Sequence, residues 1–469
     1  MNLSVVILAA GRGKRMNSRK PKVLHEILGR PMLRYTIDAV KPLKPQKLIV
    51  VIGNGAEEVR NKIDDKDISF VIQKELLGTG DALAAAQKLL KNSEGAVLVL
   101  NGDCPLMTTK TLRELLKNHN RSKNALSLLS FIDDSLSGYG RIMRDKGKVT
   151  GIVEDKHATQ EERKSKELNG GVYVLESDVM NHLKKISRNA SSGEYYLTDI
   201  VNIVSNAGGR LNAYNCPPEE IIGVNSREDL YEVSKILNRR NISKLMEKGV
   251  TFVNPETSVV HSLVSIGRDS IIHPNTYLEG KTSIGYGCVI YHGTRIVGSA
   301  LGNGVTVKDS SLIEESKVGS GAVIGPFAHL RPKSDIGRDV KIGNFVEIKS
   351  SRIGDRTKAS HLTYLGDSEV GRDVNIGAGT ITCNYDGEKK YKTVIESGVF
   401  IGSDSQLVAP VRIGRGSYVA AGSTVTQDVP SGALSISREK QKNLIGWVNK
   451  RQLRVKSLEL RVKDKRRKK

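Results

Sequence analysis

From residue 260 onward, aliphatic residues return every six positions. Val260, Ile266, Ile272, Leu278, Ile284, Ile290 and Ile296 keep this spacing without a break. It resumes at Ile324, Leu330, Ile336, Ile342 and Ile348, and again at Ile401, Leu407, Ile413, Val419 and Val425. A period of six fits neither an α-helix, which repeats near 3.6, nor a lone strand, which repeats at two. It is the signature of a parallel β-helix. Each repeat makes one flat side of a triangular coil, and three repeats close a turn around a narrow aliphatic core. Glycine follows the aliphatic residue at Gly267, Gly285, Gly337, Gly343, Gly377 and Gly414, where the chain turns a corner. The repeat breaks at 382–394, around CNYDGEKKYKT. An insertion there leaves the coil as a loop, where function gathers on solenoids.

The first ~225 residues follow another pattern. Apolar runs at 5–11, 47–53, 68–73 and 96–103 read as buried strands, and 32–41, 56–64 and 81–91 read as helices. Such alternation predicts a mainly parallel sheet covered on both faces, with ligands at the carboxyl ends of its strands. Residues 226–248 contain no Gly or Pro. Ser226 with Asp229 forms an N-terminal cap signal and Gly249 a stop, so one long connecting helix is expected. The division is therefore 1–227, a linker helix 228–248, and 249–469 ending in a basic tail from about 440.

Composition limits the class. The net charge is +22, which favours anionic ligands without choosing among nucleotides, phosphorylated sugars, coenzyme A, nucleic acid or lipid. The stretch Lys450–Lys469 contains no aromatic residue; it reads as a solvated end, and no nucleic-acid partner is expected. The four cysteines, Cys104, Cys216, Cys288 and Cys383, form no CxxC pair. Together with the short apolar stretch Val5–Ala10, which lacks a basic leader, they predict a cytoplasmic protein without a transmembrane segment.

LAAGRGKRM at 8–16 places two glycines where backbone N–H groups can cradle a phosphate, with Lys14 and Arg15 adding charge. GRG alone is equally a tight turn, and neither the dinucleotide nor the P-loop spacing is present. PKVL at 21–24 supplies a further lysine. LAAGxGxRM followed by PK resembles the sugar-phosphate nucleotidyltransferases. QKELLGTGDAL (73–83), NGD (101–103), GYGRI (138–142), VEDKHAT (153–159), LNGG (168–171), EYYLTD (194–199) and GVNS (223–226) follow in that family's order. With the six-residue repeats added, residues 3 to 447 resemble the bacterial bifunctional N-acetylglucosamine-1-phosphate uridylyltransferase/glucosamine-1-phosphate N-acetyltransferases.

The resemblance implies a Rossmann-like nucleotidyltransferase domain, a connecting helix and a left-handed parallel β-helix, α/β overall. It also implies two reactions. Glucosamine 1-phosphate is acetylated from acetyl-CoA. The resulting N-acetylglucosamine 1-phosphate then takes a uridylyl group from UTP, with Mg²⁺ as cofactor and pyrophosphate released. The product, UDP-N-acetylglucosamine, is a precursor for peptidoglycan and lipopolysaccharide.

By motif, Leu8, Ala9, Ala10, Gly11, Gln73, Gly78 and Thr79 hold the uridine nucleotide, with Asn101 and Gly102 beside it. Arg15 and Lys22 stabilise the triphosphate and departing pyrophosphate; Asp103 and Asn225 bind Mg²⁺; Gly140, Glu154 and Asn169 hold the sugar. Two positions depart from the family: Asn101 where an aromatic is common, and Gly170 where Thr often follows the sugar-binding Asn.

Amide formation from a thioester needs an amine stripped of its proton, and histidine suits that task near neutral pH. A lone histidine in a repeat protein is more often structural, but His361 lies in SHLTYLGD, just before the loop insertion. The resemblance makes it the proton acceptor. It assigns Arg331, Lys349, Tyr364, Asn375 and Lys390 to the sugar phosphate, and Ala378, Asn384, Tyr385, Ser403, Ala421 and Arg438 to acetyl-CoA. It also implies a homotrimer formed through the coil. A rival reading keeps only the nucleotidyltransferase and makes the coil a scaffold.

Overall fold

The computed structural model describes residues 2–91, 93–133 and 138–467, with side chains described through 460. The chain divides into two compact units, Met1–Ser283 with Ile296–Gly298, and Ile284–Arg295 with Ser299–Lys469.

In the first unit, strands β1 (Leu3–Ala9), β2 (Lys47–Ile52), β3 (Ile68–Ile72) and β4 (Ala96–Asn101) alternate with helices α1 (Met32–Val40), α2 (Ala56–Lys62) and α3 (Thr79–Leu90). Helix α4 (Thr109–Ser122) leads to β5 (Leu126–Ile132), and β6 (Arg141–Asp145) and β7 (Lys148–Val153) form a hairpin. Then come β8 (Glu167–Glu176), α5 (Asp199–Asn206), β9 (Leu211–Asn215) and α6 (Arg227–Met246). The sheet order is β9-β5-β8-β4-β1-β2-β3.

In the half β3-β2-β1-β4, strands β1, β2 and β4 are mostly buried, whereas the edge strand β3 buries only Ile68. This half is parallel as expected, each strand being followed by a crossover helix. The other half is not uniformly so: β8 runs antiparallel to both β4 and β5. That reversal has a consequence for the site. Asn169, near the start of β8, reaches the same edge as the carboxyl ends of β1 and β4.

Helix α6 starts at the expected capping box. Ser226 Oγ accepts from Asp229 N at 3.1 Å, and Asp229 Oδ2 accepts from Ser226 N at 2.8 Å. The helix ends before Gly249, whose φ is +87°. Its Val233 and Leu237 pack with Met16, Ile27, Met32 and Leu106. Asn238 covers the start of the coil: its amide donates to Ser258 O at 2.7 Å and its Oδ1 accepts from Val260 N at 2.8 Å. Backbone groups of the first rung are thus paired rather than left open.

The first turns of the coil belong to the first unit, and the second unit carries the rest of it. Ladder partners lie one turn apart: Ile324 faces Ile342 and Leu330 faces Ile348, eighteen residues on, while Ile336 faces Ile353, seventeen on. The described ladders between the coil's strands are parallel, the one antiparallel bridge among the described residues being Tyr385 with Lys390 on the inserted loop, and the six-spaced aliphatics are all buried. At the insertion the step lengthens, and Ile376 faces Ile401, twenty-five residues on. Ile342 is buried in the narrow aliphatic core, where one truncated side chain leaves a void that neighbours cannot fill. Ile342→Ala is expected to destabilise the coil by about 2–5 kcal/mol, seen as a lowered unfolding midpoint by circular dichroism.

Residues 447–460 are exposed, as the charge of this end suggested, and the backbone forms a helix, α7 (Trp447–Arg467). No glycine or proline interrupts 447–467. Among the described residues no helix is long and apolar enough to cross a membrane.

Candidate active sites

In the first unit, two cavities share Asn101, Asp103 and Glu154 in their walls. The larger, 710 Å³, is lined by Leu8–Lys14, Lys22, Gln73, Gly78 and Thr79. The smaller, 340 Å³, is lined by Arg15, Gly140, Asn169, Gly170 and Asn225. The nucleotide and sugar residues read from sequence, Gly102 excepted, therefore line two adjoining spaces. Asp103 stands at the seam.

Local backbone explains the glycine turn. Gly13 has φ +59°, and a Cβ there would lie 2.7 Å from Lys22 Cβ. Only glycine lets the turn close over the lysine that follows. Beyond the turn, Lys22 Nζ donates to Asp103 Oδ2 and to Asn225 Oδ1, the latter at 3.1 Å. Two oxygens from distant segments thus converge on one cation. Cys104, beside them, is buried, and that burial together with Asp103 raises its thiol well above the ordinary range. It stays a neutral wall and not a nucleophile.

Gln73 is buried, and its Nε2 donates to Gly78 O at 3.0 Å and to Asp81 Oδ2 at 2.7 Å. Both partners can only accept, so the amide nitrogen is fixed on their side and Oε1 remains the free acceptor. Glu154 Oε1 accepts from Thr198 Oγ1 at 2.7 Å. Asn169 donates to Tyr173 OH at 2.7 Å and accepts from Gly171 N at 3.0 Å. Glu154 and Asn169 are thus both held in place before any ligand enters.

In the second unit, one corner of the coil carries Asn344, His361, Ala378, Ser403 and Ala421 on successive turns. Asn344 and His361 are ladder partners. Gly379 N donates to Leu362 O at 2.9 Å, Asp404 N to Ala378 O at 2.7 Å, and Gly422 N to Ser403 O at 2.8 Å. Arg438 ends the column, donating to Ala421 O at 2.6 Å. His361 and four of the residues assigned to acetyl-CoA thus form one continuous edge. Asn344 Oδ1 lies 2.6 Å from His361 Nδ1. A carboxamide oxygen only accepts, so Nδ1 carries the proton and the exposed Nε2 keeps its lone pair. That is the tautomer a base requires.

The next corner gathers cations. Arg331 donates to Glu347 Oε1 at 2.8 Å. Lys349 is held below its ordinary range by Lys390 beside it, with Arg331 adding to the effect. Two ammonium groups so placed make a site for a dianion. Asn384 donates to Asp367 Oδ2, which puts its side chain at this corner and not on the His361 column. Tyr385, also on the inserted loop, is exposed and donates to Gly387 O. Tyr364 lies on the side between the two corners, with Glu347 as ladder partner. Asn375 stands on another side, in the ladder with Lys358 and Phe400.

Comparison with known proteins agrees with both halves. Residues 5–135 match the MobA-like NTP transferase domain. Residues 315–350 and 392–427 match the bacterial transferase hexapeptide family (six repeats). A "Bifunctional protein GlmU" from Thermodesulfovibrio yellowstonii is 48% identical over 451 residues, 96% of this chain and 99% of the relative. Another from Clostridium botulinum strain Langeland is 44% identical, over 96% and 98% of the two chains. One from Caldanaerobacter subterraneus is 48% identical, over 95% and 97%. The chain belongs to the bifunctional GlmU family. It is a nucleotidyltransferase and an acyltransferase in one polypeptide, and the reading of the coil as a mere scaffold falls away. Its coil is the left-handed parallel β-helix of the hexapeptide transferases.

Within this GlmU-family frame, the departure at Gly170 has a structural reason. A Cβ at Gly170 would lie 2.8 Å from Ile221 Cδ1 and 2.9 Å from Leu129 O. There is no room for Thr, and Gly170→Thr is expected to cost about 1–3 kcal/mol through overpacking, measured as a lowered unfolding midpoint. Asn101 sits against Gly171, whose φ is +68° and where a Cβ would lie 2.8 Å from Asn101 Nδ2.

Sequence reasoning missed two residues of consequence. Arg12 lines the larger cavity, whereas Arg15, read as a triphosphate ligand, lines the smaller. Asn344 was also missed. The signal was countable: Asn344, His361 and Ala378 are each seventeen residues apart, one turn of the coil. Asn344→Ala is expected to lower kcat for acetyl transfer about tenfold, a fraction of the full contribution of a general base. The pH profile of kcat/KM should shift with it, which loss of packing alone would not produce.

Proposed function

We propose that the chain makes UDP-N-acetylglucosamine by two successive reactions, with 1–227 carrying uridylyl transfer, 228–248 linking, and 249–469 carrying N-acetylation. The observation that carries this reading is the 2.6 Å approach of Asn344 Oδ1 to His361 Nδ1. A histidine with Nδ1 held by Asn344 and Nε2 free, on an edge shared with Ala378, Ser403 and Ala421, is equipped to take a proton from an amine.

In acetylation, Arg331, Lys349 and Lys390 hold the phosphate of glucosamine 1-phosphate by charge. Tyr364 and Asn375 flank the sugar. The substrate's ammonium gives a proton to His361 Nε2, and the freed nitrogen attacks the acetyl-CoA carbonyl. The C–S bond breaks and coenzyme A leaves along Ala378, Ser403, Ala421 and Arg438, with Asn384 and Tyr385 on the loop beside it.

In uridylyl transfer, a phosphate oxygen of N-acetylglucosamine 1-phosphate attacks the α-phosphorus of UTP, and the bond to pyrophosphate breaks. Little covalent help is needed, so alignment and charge dominate. Gln73 Oε1 accepts from the imide N–H of uracil, Thr79 and Gly78 flank the base, and Glu154 and Asn169 take sugar hydroxyls. Arg12, Lys14, Arg15 and Lys22 surround the phosphates.

Mg²⁺ fits here. One carboxylate and one amide oxygen, Asp103 and Asn225, already converge on a cation, and Mg²⁺ favours few protein oxygens completed by phosphate and water. When bound, it neutralises charge building on the phosphates.

A homotrimer follows the same reading. Phe327, Phe345 and Leu362 are exposed beside the His361 column at φ +55°, +56° and +45°, and the two phenyl rings stack with centroids 5.4 Å apart. Bulky residues in this backbone region are costly, and an apolar ridge next to a site is a surface for a second copy.

The test is product analysis. Purified protein with glucosamine 1-phosphate, acetyl-CoA, UTP and Mg²⁺ should yield UDP-N-acetylglucosamine, coenzyme A and pyrophosphate. Turnover of supplied N-acetylglucosamine 1-phosphate without any release of coenzyme A from glucosamine 1-phosphate would contradict it.

A further inference from the structure

The C-terminal helix belongs to neither site. The resemblance ends near 447, and residues 450–469 hold eleven Lys and Arg against Glu459 and Asp464. This stretch therefore carries +9 of the chain's +22. Charge is only half of its character. At 100° per residue, Trp447, Val448, Val455 and Leu458 fall within one arc of about 100°. They are 50%, 60%, 48% and 53% exposed. Just before the helix, Leu444 and Ile445 are 61% and 94% exposed. Arg451 lies in the same arc, its guanidinium 5.2 Å from the Trp447 ring centroid. Leu453 and Leu460 are exposed on the far side. Among the described residues, no hydrogen bond or ion pair joins 447–460 to the coil.

An occupant of this surface must be apolar and anionic at once. Three candidates differ in how well they meet that demand. RNA offers charge but asks for stacking partners, and the helix has one aromatic and several aliphatics. A second copy of the helix offers aliphatics but brings another strongly positive charge against the first. An anionic lipid surface offers both: acyl chains for Trp447, Val448, Val455 and Leu458, and phosphates for the long Lys and Arg side chains that flank them. We propose that this helix docks the enzyme on anionic membrane surfaces.

The experiment uses the full chain and vesicles of phosphatidylglycerol and phosphatidylcholine in equal parts, with pure phosphatidylcholine beside them, scored by flotation. Binding to the mixed vesicles is expected to exceed binding to the neutral ones by at least about tenfold, and to fall sharply between about 0.1 and 0.5 M salt. The double variant Val455→Asp, Leu458→Asp should lose at least about tenfold of the remaining binding while both reactions proceed at the original rate, which shows that the protein is folded. Arg454→Glu with Lys456→Glu should weaken binding too. Equal binding to neutral vesicles, or undiminished binding by the Val455/Leu458 variant, overturns the proposal. So does tight binding of an RNA oligonucleotide without lipid binding, or a tail-dependent change in oligomeric state without lipid binding.

Discussion

Replacing His361 with alanine is expected to lower acetyl transfer to glucosamine 1-phosphate by about 10²- to 10⁴-fold, the usual contribution of a positioned base, and to leave uridylyl transfer untouched. The direction follows from geometry. Nε2 is the lone pair offered to the ligand, since Asn344 holds Nδ1. No other histidine lies in the column of corners from Asn344 to Ala421, so nothing nearby replaces it. The side chain is exposed, so its loss opens no core cavity and the coil should keep its unfolding midpoint. The check is release of coenzyme A, followed in parallel with pyrophosphate release from UTP and N-acetylglucosamine 1-phosphate. Loss of both activities would make His361 a structural residue.

Asp103→Ala should do the reverse. Removing the carboxylate deprives both cavities of one of the two carboxylates they share, Asp103 and Glu154, and it leaves Lys22 with Asn225 alone. Uridylyl transfer is expected to fall by at least about 10²-fold, the scale on which one electrostatic group matters in such reactions. Acetyl transfer should stay at its original rate. Isothermal titration of Mg²⁺ in the presence of UTP should show weakened metal binding. Unchanged metal binding with lost activity would assign Asp103 to Lys22 alone.

The coil was legible because one side chain per six residues must point inward, and each of Val260, Ile290, Ile342 and Ile413 does so. The parallel half of the first sheet was legible for a like reason: β1 is aliphatic from Val5 to Ala9 and β4 from Ala96 to Leu100. What escaped was pairing between strands that sequence leaves ambiguous. Nothing in LNGGVYV says that β8 runs against β4, although that reversal brings Asn169 to the site. The residues of the coil's active edge came from motif, yet the steps of seventeen, seventeen, twenty-five and eighteen from Asn344 to Ala421 equal the ladder steps. Column membership was therefore countable once the insertion was placed. The contacts of the inserted loop were not legible: sequence did not show that the Asn384 amide donates to Asp367. The tail was read from charge alone, which is silent on helix formation.

The most direct test of the central claim, two independent active sites in one chain, is to assay the two variants singly and mixed. Each receives glucosamine 1-phosphate, acetyl-CoA, UTP and Mg²⁺, and the sugar products are separated and identified. The His361→Ala protein should leave glucosamine 1-phosphate unconverted, and the Asp103→Ala protein should accumulate N-acetylglucosamine 1-phosphate. The mixture should make UDP-N-acetylglucosamine. If the mixture stays inactive, or if either variant alone completes the sequence at the original rate, the assignment of one reaction to each site is wrong.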